Sequence, residues 1–124
     1  MLYKESDKMK KVKRNEIYYV NFGCGFGSEQ SNVRPSLILQ NDVGNLHSPT
    51  TIVAPFTKQL KPTYMPTHIE IEKNNINNLN ENSILLLEQI TTVDKGRIQR
   101  KIGRITDFKT ISKINSGIKT SLGI

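Results

Sequence analysis

The chain is organised around the stretch Gly27-Ser-Glu-Gln-Ser-Asn-Val-Arg-Pro-Ser-Leu-Ile-Leu-Gln-Asn-Asp42, together with Pro49-Thr-Thr-Ile-Val-Ala-Pro-Phe-Thr57. Its first part, up to Val33, has no apolar period and is typical of an exposed loop, whereas residues 36–40 are apolar enough for a short strand. A second apolar strand is predicted over residues 50–56. The stretch therefore predicts a loop followed by two neighbouring strands.

If the two strands pair antiparallel, the start of the first meets the end of the second, and Arg34 and Thr57 come together. Pro35 removes one backbone donor and favours an extended backbone at Arg34, so we expect the guanidinium to project from the start of a strand. A fork-shaped cation and a hydroxyl placed together suit a phosphate. The sequence therefore predicts an anion site formed by two residues that are distant along the chain.

Four stretches follow one another in the order of a known protein family. They are Gly27–Gln30 with Val33–Pro35, Gln40–Asp42 with Gly44-Asn45, Ser48–Thr57, and Pro66–Glu70 followed by Leu85–Ile90. In this order they resemble the MazF/PemK family of toxin endoribonucleases, the toxic halves of bacterial toxin-antitoxin pairs. The resemblance covers most of residues 15–124.

The resemblance implies a mainly β fold, an SH3-like antiparallel β-barrel that is usually a homodimer. It also implies sequence-selective cleavage of single-stranded RNA, mRNA included, without a metal or other cofactor, and an acidic antitoxin as protein partner. The family's catalytic arginine falls on Arg34 and its catalytic threonine on Thr57. The chain departs from the family at Ser31-Asn32, where two glycines are common, and at Thr91, where an arginine is usual. The second departure removes a cation that would contact phosphate or antitoxin.

Further residues are candidates for RNA contacts: Phe26, Ser28, Glu29, Gln30, Lys58, Glu88 and Gln89. Aromatic rings stack on bases, which favours Phe26 as a platform, although packing of this ring onto the end of the barrel is an equal alternative. Carboxylates and amides hydrogen-bond base edges, so Glu29 and Gln30 are candidate readers of sequence, with a solvated loop face as the alternative. Lys58 is a candidate phosphate contact.

Composition indicates a single domain, because 124 residues suffice for one hydrophobic core. The chain has no run of eighteen apolar residues and no apolar segment after its basic start, so we expect neither a membrane span nor a secretory signal. We therefore expect the protein to be cytoplasmic. One cysteine, Cys24, excludes an intrachain disulfide framework. Cys24 and the two histidines, which are distant in the sequence, make a poor set of zinc ligands.

The net charge of +7 is concentrated at the two ends of the chain. Residues 1–14 carry six basic and two acidic residues (+4), residues 95–124 carry eight and one (+7), and residues 15–94 carry four and eight (−4). The excess favours an anionic partner, and charge alone does not choose between RNA and an acidic antitoxin. A site at Arg34 therefore needs folding to bring the basic C-terminal third near it.

The remaining pattern predicts the elements around this centre. Strands are expected over residues 17–22, 67–72, 83–87 and 101–105, a turn over 41–45, an exposed asparagine-rich connection over 74–82, and a short helix from Asp94 to Gln99. A C-terminal amphipathic helix is expected from an apolar stripe of Phe108, Ile111, Ile114, Ile118 and Leu122. Residues 1–14 are expected to be a mobile basic extension, either solvating or gripping RNA, and residues 15–124 the toxin domain.

The chemistry expected without a metal set uses the 2′-hydroxyl of RNA as the nucleophile and leaves a 2′,3′-cyclic phosphate and a 5′-hydroxyl. Arg34 would neutralise the growing charge and Thr57 would donate a hydrogen bond. Two alternatives stay open. The chain could instead resemble the related barrel toxins that poison DNA gyrase by binding it, or it could be a non-catalytic RNA-binding barrel.

Overall fold

The computed structural model describes residues 11–27 and 32–124, and these form seven strands and two α-helices. The strands are β1 (Glu16–Asn21), β2 (Val33–Ile38), β3 (Thr50–Lys58), β4 (His68–Ile71), β5 (Ser83–Leu86), β6 (Thr91–Asp94) and β7 (Ile98–Arg104). The helices are α1 (Asp42–His47) and α2 (Phe108–Leu122). The mainly β class with a C-terminal helix, predicted from the sequence, is confirmed.

The sheet is antiparallel and has the strand order β4-β5-β3-β2-β1-β7, with β6 paired to β3 beside this path. The long strand β3 changes partners along one edge, because Thr50–Val53 pair with β6 and Phe56–Lys58 pair with β5. Among the described residues β4 and β7 do not pair with each other, so the expected barrel is open.

The core consists of two apolar clusters, because neighbouring residues of a strand point to opposite faces of the sheet. Ile17 of β1 belongs to the first cluster, whereas Tyr18 and Val20 belong to the second. The other fully buried side chains of the first cluster include Leu37, Leu85, Leu87 and Ile114. The second cluster also contains Ile38, Val53, Val93 and Ile98.

The helix α2 begins and ends where the sequence predicts it. The Asp107 carboxylate accepts a hydrogen bond from the Thr110 N–H at 3.0 Å, and Gly123 ends the helix in the left-handed conformation. The middle of the apolar stripe packs on the first cluster, but its two ends do not, since Phe108 is 84% and Leu122 58% exposed. No helix in the described ranges is long and apolar enough to cross a membrane.

The helix α1 replaces the turn that was expected over residues 41–45. Asn41 is its N-cap, and its side chain accepts a hydrogen bond from the Gly44 N–H at 2.8 Å. Asparagine favours turns and helix N-caps by the same local hydrogen bonding, so the pattern did not separate the two. Asn45 is buried and accepts hydrogen bonds from Gln40 and Thr51.

The segment around Asp94 also differs from the expectation. Asp94 does cap a helix, by accepting from the Gly96 N–H at 2.7 Å, but this is a single 3-10 turn over Lys95–Arg97. The following strand, β7, therefore starts at Ile98, earlier than expected. The four-residue strand β6 before it was too short to show a clear alternation.

The folded part of the chain begins before residue 15. Val12 is buried in the second cluster, the Arg14 N–H donates to Asp42 at 2.8 Å, and the Arg14 guanidinium donates to Asn115 of α2 at 2.8 Å. The last residues of the extension expected over residues 1–14 therefore belong to the fold. Residues 1–10 lie outside the described part of the chain.

Candidate active site

Arg34 is the second residue of β2 and is half-buried. On one side it is paired with Val20 of β1. On the other side the recorded pairing between β2 and β3 stops at Ser36 opposite Pro55. Because prolines have no N–H to donate, Pro35 and Pro55 both favour an end to the ladder at this point.

Thr57 lies on β3, two residues beyond the last pair with β2. Extending the register of that antiparallel pair places Thr57 opposite Arg34, as the sequence predicted. Beyond Pro55, β3 is held from its other edge by β5, where Thr57 is paired with Ile84. The start of β2 and the end of β3 therefore face each other without a ladder between them.

A cavity of about 260 Å³ is lined by both Arg34 and Thr57. One wall comes from the two strands and also includes Pro35, Phe56 and Lys58. A second wall, the far wall, comes from Asn78–Glu81, and Tyr19 of β1, Ser83 of β5 and Ile102 of β7 complete the lining. Folding thus brings the two residues predicted to form an anion site into one cavity.

The polar groups of Arg34 and Thr57 have no protein partner in residues 11–27 and 32–124: neither the guanidinium nor the hydroxyl makes a hydrogen bond or ion pair there. Two of the other arginines are engaged, since Arg14 donates to Asn115 and Arg97 donates to the Asn21 carbonyl at 3.1 Å. Half-buried donors that are left unsatisfied cost free energy unless a ligand or water meets them. The cavity therefore presents free donors suited to a phosphate.

Lys58 is a second cation of the cavity and is weakly paired with Glu81. Their charged atoms are 3.8 Å apart, and the side chains are 60% and 54% exposed. Exposed ion pairs at such a distance stabilise a protein by little, so Lys58 can exchange Glu81 for a ligand phosphate. The described lining holds two cations and one carboxylate, a net positive charge.

The asparagine-rich connection is part of the site, which the sequence did not predict. It was expected to be exposed throughout, but Asn77 and Leu79 are 3% and 7% exposed. The Asn77 side chain accepts from the Leu79 N–H at 3.0 Å and donates to the Glu72 carbonyl at 2.9 Å, so an amide satisfies the backbone in place of water. The apolar Leu79 among asparagines was the only signal of this burial.

The strand β7 holds this connection in place. At Gly103 an added Cβ would lie 2.5 Å from the carbonyl oxygens of Ile76 and Asn77, so only glycine allows the approach. The Asn78 amide donates to the Ile102 carbonyl at 3.1 Å, and the Arg104 N–H donates to the Ile76 carbonyl at 3.2 Å. The far wall of the cavity thus depends on the C-terminal strand.

The basic C-terminal third reaches the cavity through the same strand. β7 pairs with β1, and the guanidinium carbon of Arg100 lies 5.1 Å from the ring centre of Tyr19, a cavity residue. The fold therefore brings part of the basic C-terminal third close to the cavity that Arg34 lines.

The loop between β1 and β2 is closed at its base by two hydrogen bonds, from the Phe22 N–H to the Asn32 carbonyl and from the Asn32 N–H to the Gly23 carbonyl. Phe26 is 87% exposed. The candidates Ser28, Glu29 and Gln30 lie outside the described residues.

Glu88 and Gln89 form a 3-10 turn after β5 and are not among the described residues that line the cavity. Glu88 is instead 2.8 Å from Nε2 of His68, whose Nδ1 is 2.9 Å from the Thr63 hydroxyl. His68 is thus held between two polar groups on the surface. The structure brings Arg34, Thr57 and Lys58 together and places Glu88 and Gln89 apart from them.

Known proteins resemble this chain over nearly its whole length. A family model described as PemK-like, MazF-like toxin of type II toxin-antitoxin system matches residues 13–122. The endoribonuclease MazF of Staphylococcus saprophyticus is 42% identical over 113 residues, which are 91% of this chain and 92% of that protein. The endoribonuclease EndoA of Bacillus subtilis is 41% identical over 113 residues, 91% of this chain and 96% of that protein.

Solved structures show the same fold at lower sequence identity. A mycobacterial endoribonuclease in complex with its cognate antitoxin has a TM-score of 0.74 at 23% identity, with 91% of this chain and 96% of that chain covered. MazF from Deinococcus radiodurans has a TM-score of 0.76 at 16% identity, with 93% and 99% covered. On the family match and the two sequence relatives, the chain belongs to the PemK-like, MazF-like toxins of type II toxin-antitoxin systems.

Proposed function

We propose that this toxin is a metal-independent, sequence-selective endoribonuclease that cuts single-stranded RNA, mRNA included, with Arg34 and Thr57 as its catalytic residues. One observation carries the proposal: the Arg34 guanidinium and the Thr57 hydroxyl, which have no hydrogen-bond or ion-pair partner in the described part of the chain, line the same cavity. The endoribonuclease names of the Staphylococcus saprophyticus and Bacillus subtilis relatives support the activity.

The reaction is a transesterification within the RNA. The 2′-oxygen attacks the adjacent phosphorus, the bond from phosphorus to the 5′-oxygen breaks, and the products are a 2′,3′-cyclic phosphate and a 5′-hydroxyl. The 2′-hydroxyl gives up its proton and the departing 5′-oxygen gains one. DNA lacks the nucleophile, so this chemistry is selective for RNA.

Arg34 acts through charge and geometry. A guanidinium is a poor base and a reluctant acid, but its parallel N–H groups match two phosphate oxygens. It therefore stabilises the additional negative charge of the phosphorane, and the Thr57 hydroxyl donates to the same oxygens. Lys58 contacts a neighbouring phosphate after releasing Glu81.

The remaining predicted contacts belong to recognition. Ser28, Glu29 and Gln30 are proposed to read bases from the loop, Phe26 to stack on one, and Glu88 and Gln89 to contact RNA outside the cavity. The exposure of the Phe26 ring supports stacking. Thr91 stands where relatives usually have arginine, so this toxin has one cation fewer near that turn.

The proposed protein partners are an acidic antitoxin and a second copy of the chain. A mycobacterial endoribonuclease was solved in complex with its cognate antitoxin, and MazF of Deinococcus radiodurans was solved with MazE. The net charge of +7 suits an acidic antitoxin. The toxin domain includes Val12 and Arg14, which belong to the fold, and acts in the cytoplasm, where mRNA is translated.

The test uses purified protein and a long single-stranded RNA in excess chelator. We expect cleavage that leaves cyclic phosphate and 5′-hydroxyl ends, and loss of cleavage in Arg34→Ala with an unchanged thermal midpoint. Lys109→Ala, which removes a charge from the exposed face of α2, is the matched control. Intact RNA, or Arg34→Ala cleaving like the wild type, would overturn the proposal.

The same protein separates the two alternatives. A gyrase poison would inhibit DNA supercoiling by gyrase, and we expect no inhibition. A non-catalytic RNA-binding barrel would bind the RNA tightly and leave it uncut. The proposed reaction predicts neither result.

A further inference from the structure

The cavity is too small to hold the whole substrate of an endonuclease. At about 260 Å³ it lies below the roughly 300–1,000 Å³ of typical ligand pockets, so it has room for about one nucleotide linkage. An RNA strand that enters it must continue over the surrounding surface. That surface must be suited to the flanking phosphates.

A groove of about 370 Å³ adjoins the cavity and shares Asn78 and Ile102 with it. Its other described lining residues are Asn75, Ile76, Lys101, Gly103 and Arg104, so it holds two cations and no carboxylate. Lys101 is engaged, with its ammonium 2.6 Å from Glu16. Arg104 is exposed, and its guanidinium makes no hydrogen bond or ion pair with the described residues.

A second guanidinium, that of Arg100, lies beside a residue that lines the cavity. Arg100 is exposed and covers the ring of Tyr19, which lines the cavity. A cation over an aromatic face is held in place while its in-plane N–H groups stay available. In the described part of the chain these N–H groups have no hydrogen-bond or ion-pair partner.

Ile102, midway between the two arginines on β7, connects the cavity with the groove. The register passes from Ile17 opposite Gly103 to Tyr18 opposite Lys101, so Ile102 is an unmatched bulge residue. Bulges often redirect side chains beside functional sites. Ile102 lines both the cavity and the groove.

We infer that β7 is a binding surface for the single-stranded RNA that flanks the cleaved linkage, with Arg100 and Arg104 each contacting one flanking phosphate. The inference rests on the proposed endoribonuclease function and extends it. The two arginines add affinity equally for substrate and transition state, so they lower KM and leave kcat unchanged.

The test measures binding of a fluorescein-labelled 12-nucleotide RNA, built around a mapped cleavage site with a 2′-deoxy sugar at the cleaved position, over a series of salt concentrations. Arg100→Gln and Arg104→Gln are each expected to weaken binding about three- to tenfold and to reduce the slope of log K against log salt by about 0.7. The double variant should lose about 1.4 from the slope. Lys119→Gln, which removes an exposed charge of α2 that lines no cavity described above, is the control for net charge.

Cleavage of the all-RNA form then separates binding from chemistry. Both variants should have a raised KM and the wild-type kcat, and shortening the RNA on one side of the cut should abolish the effect of one variant only. Wild-type slope and KM in both arginine variants would overturn the inference. Uncut RNA with wild-type protein would instead overturn the proposed function, while the binding measurements would still decide whether β7 holds RNA.

Discussion

At the scale of single residues, the two cations of the cavity, Arg34 and Lys58, differ in shape and not in charge. Arg34 and Lys58 both carry a positive charge, but only the guanidinium offers parallel donors to two phosphate oxygens. Arg34→Lys is therefore expected to lower kcat by about 100-fold or more. Lys58→Gln should raise KM severalfold with little change in kcat. Single-turnover cleavage measures both, and wild-type kcat in Arg34→Lys would contradict the assigned role.

The Thr57 hydroxyl can be removed without disturbing the strand. Thr57→Val keeps the β-branched shape, so the pairing with Ile84 should persist and thermal stability should change little. Loss of one donor to the transition state is expected to lower kcat by roughly 100-fold. Thr92→Val, at an exposed position of β6, is the matched control and should cleave at the wild-type rate.

The sequence located Arg34 and Thr57 because local signals surround them: a polar loop, a proline and two short apolar strands. It did not locate Asn78, Glu81 or Ile102. Their places depend on how a turn-rich segment is held by β7, which is a tertiary contact with no periodic pattern of its own. Glu88 and Gln89 stay predicted RNA contacts outside the cavity, on the 3-10 turn that follows β5.

Among the elements, the contact between β7 and the asparagine-rich connection is the most sensitive to a small change. Gly103→Ala places a methyl group 2.5 Å from two carbonyl oxygens, so the backbone must move. We expect a loss of about 1–3 kcal/mol in unfolding free energy and a lower cleavage rate, because the displaced segment forms a cavity wall. Urea titration and a cleavage assay measure the two effects.

Gly44→Ala is the control for that substitution. The nearest neighbours of its added methyl group are atoms of the Gln40 side chain, at 3.0–3.2 Å, and alanine favours the helical backbone of α1. We expect a change below about 1 kcal/mol and normal cleavage. Equal losses in the two variants would mean that the contact at Gly103 has no special importance.

The cap of α2 predicts a pH dependence of stability. Hydrogen bonds from the Thr110 side chain and N–H hold the pKa of Asp107 below its usual value. The folded carboxylate therefore binds a proton less readily than the unfolded one, and its stabilisation is full above about pH 3.9 and is lost as the pH falls through the lower folded pKa. Asp107→Ala should cost about 1 kcal/mol at pH 7.

Thermal unfolding of both proteins between pH 2 and 7 tests this. The difference between wild type and Asp107→Ala should shrink below about pH 4, while Asp107→Asn, which keeps a capping oxygen, should lose less at pH 7. A constant difference across the range would show that the carboxylate charge contributes nothing.

The elements that the sequence predicted well are those with long or strongly patterned segments. α2 has fifteen residues and a capping residue at its start, and β3 has nine residues, so neither depended on tertiary context. α1 has six residues and β6 has four, too few for their periods to show. The end residues of the α2 stripe, Phe108 and Leu122, are exposed, and the helical period alone does not show how much of the stripe the core covers.

In the whole molecule, one sheet separates two apolar clusters and belongs to both. Ile114 is fully buried in the first cluster, and Val53 is fully buried in the second. Ile114→Ala and Val53→Ala are expected to lower the unfolding free energy by about 2–5 and 1–3 kcal/mol respectively, each through a single transition. Phe108→Ala, at an exposed end of α2, should have little effect.

Urea unfolding followed by circular dichroism and by tyrosine fluorescence measures these losses. Coincident curves with an unchanged slope would show that the clusters unfold together. Separate transitions in either core variant would show that the two faces of the sheet are independently stable.

The pairing of β7 with β1 places the beginning and the end of the fold side by side, with the far wall of the cavity attached to β7. A ribosome making this chain releases Arg34 and Thr57 well before it releases Ile102 and Gly103. Until then the growing polypeptide lacks a residue that completes the lining of the cavity. The order of the strands thus delays completion of the cavity until β7 has been made.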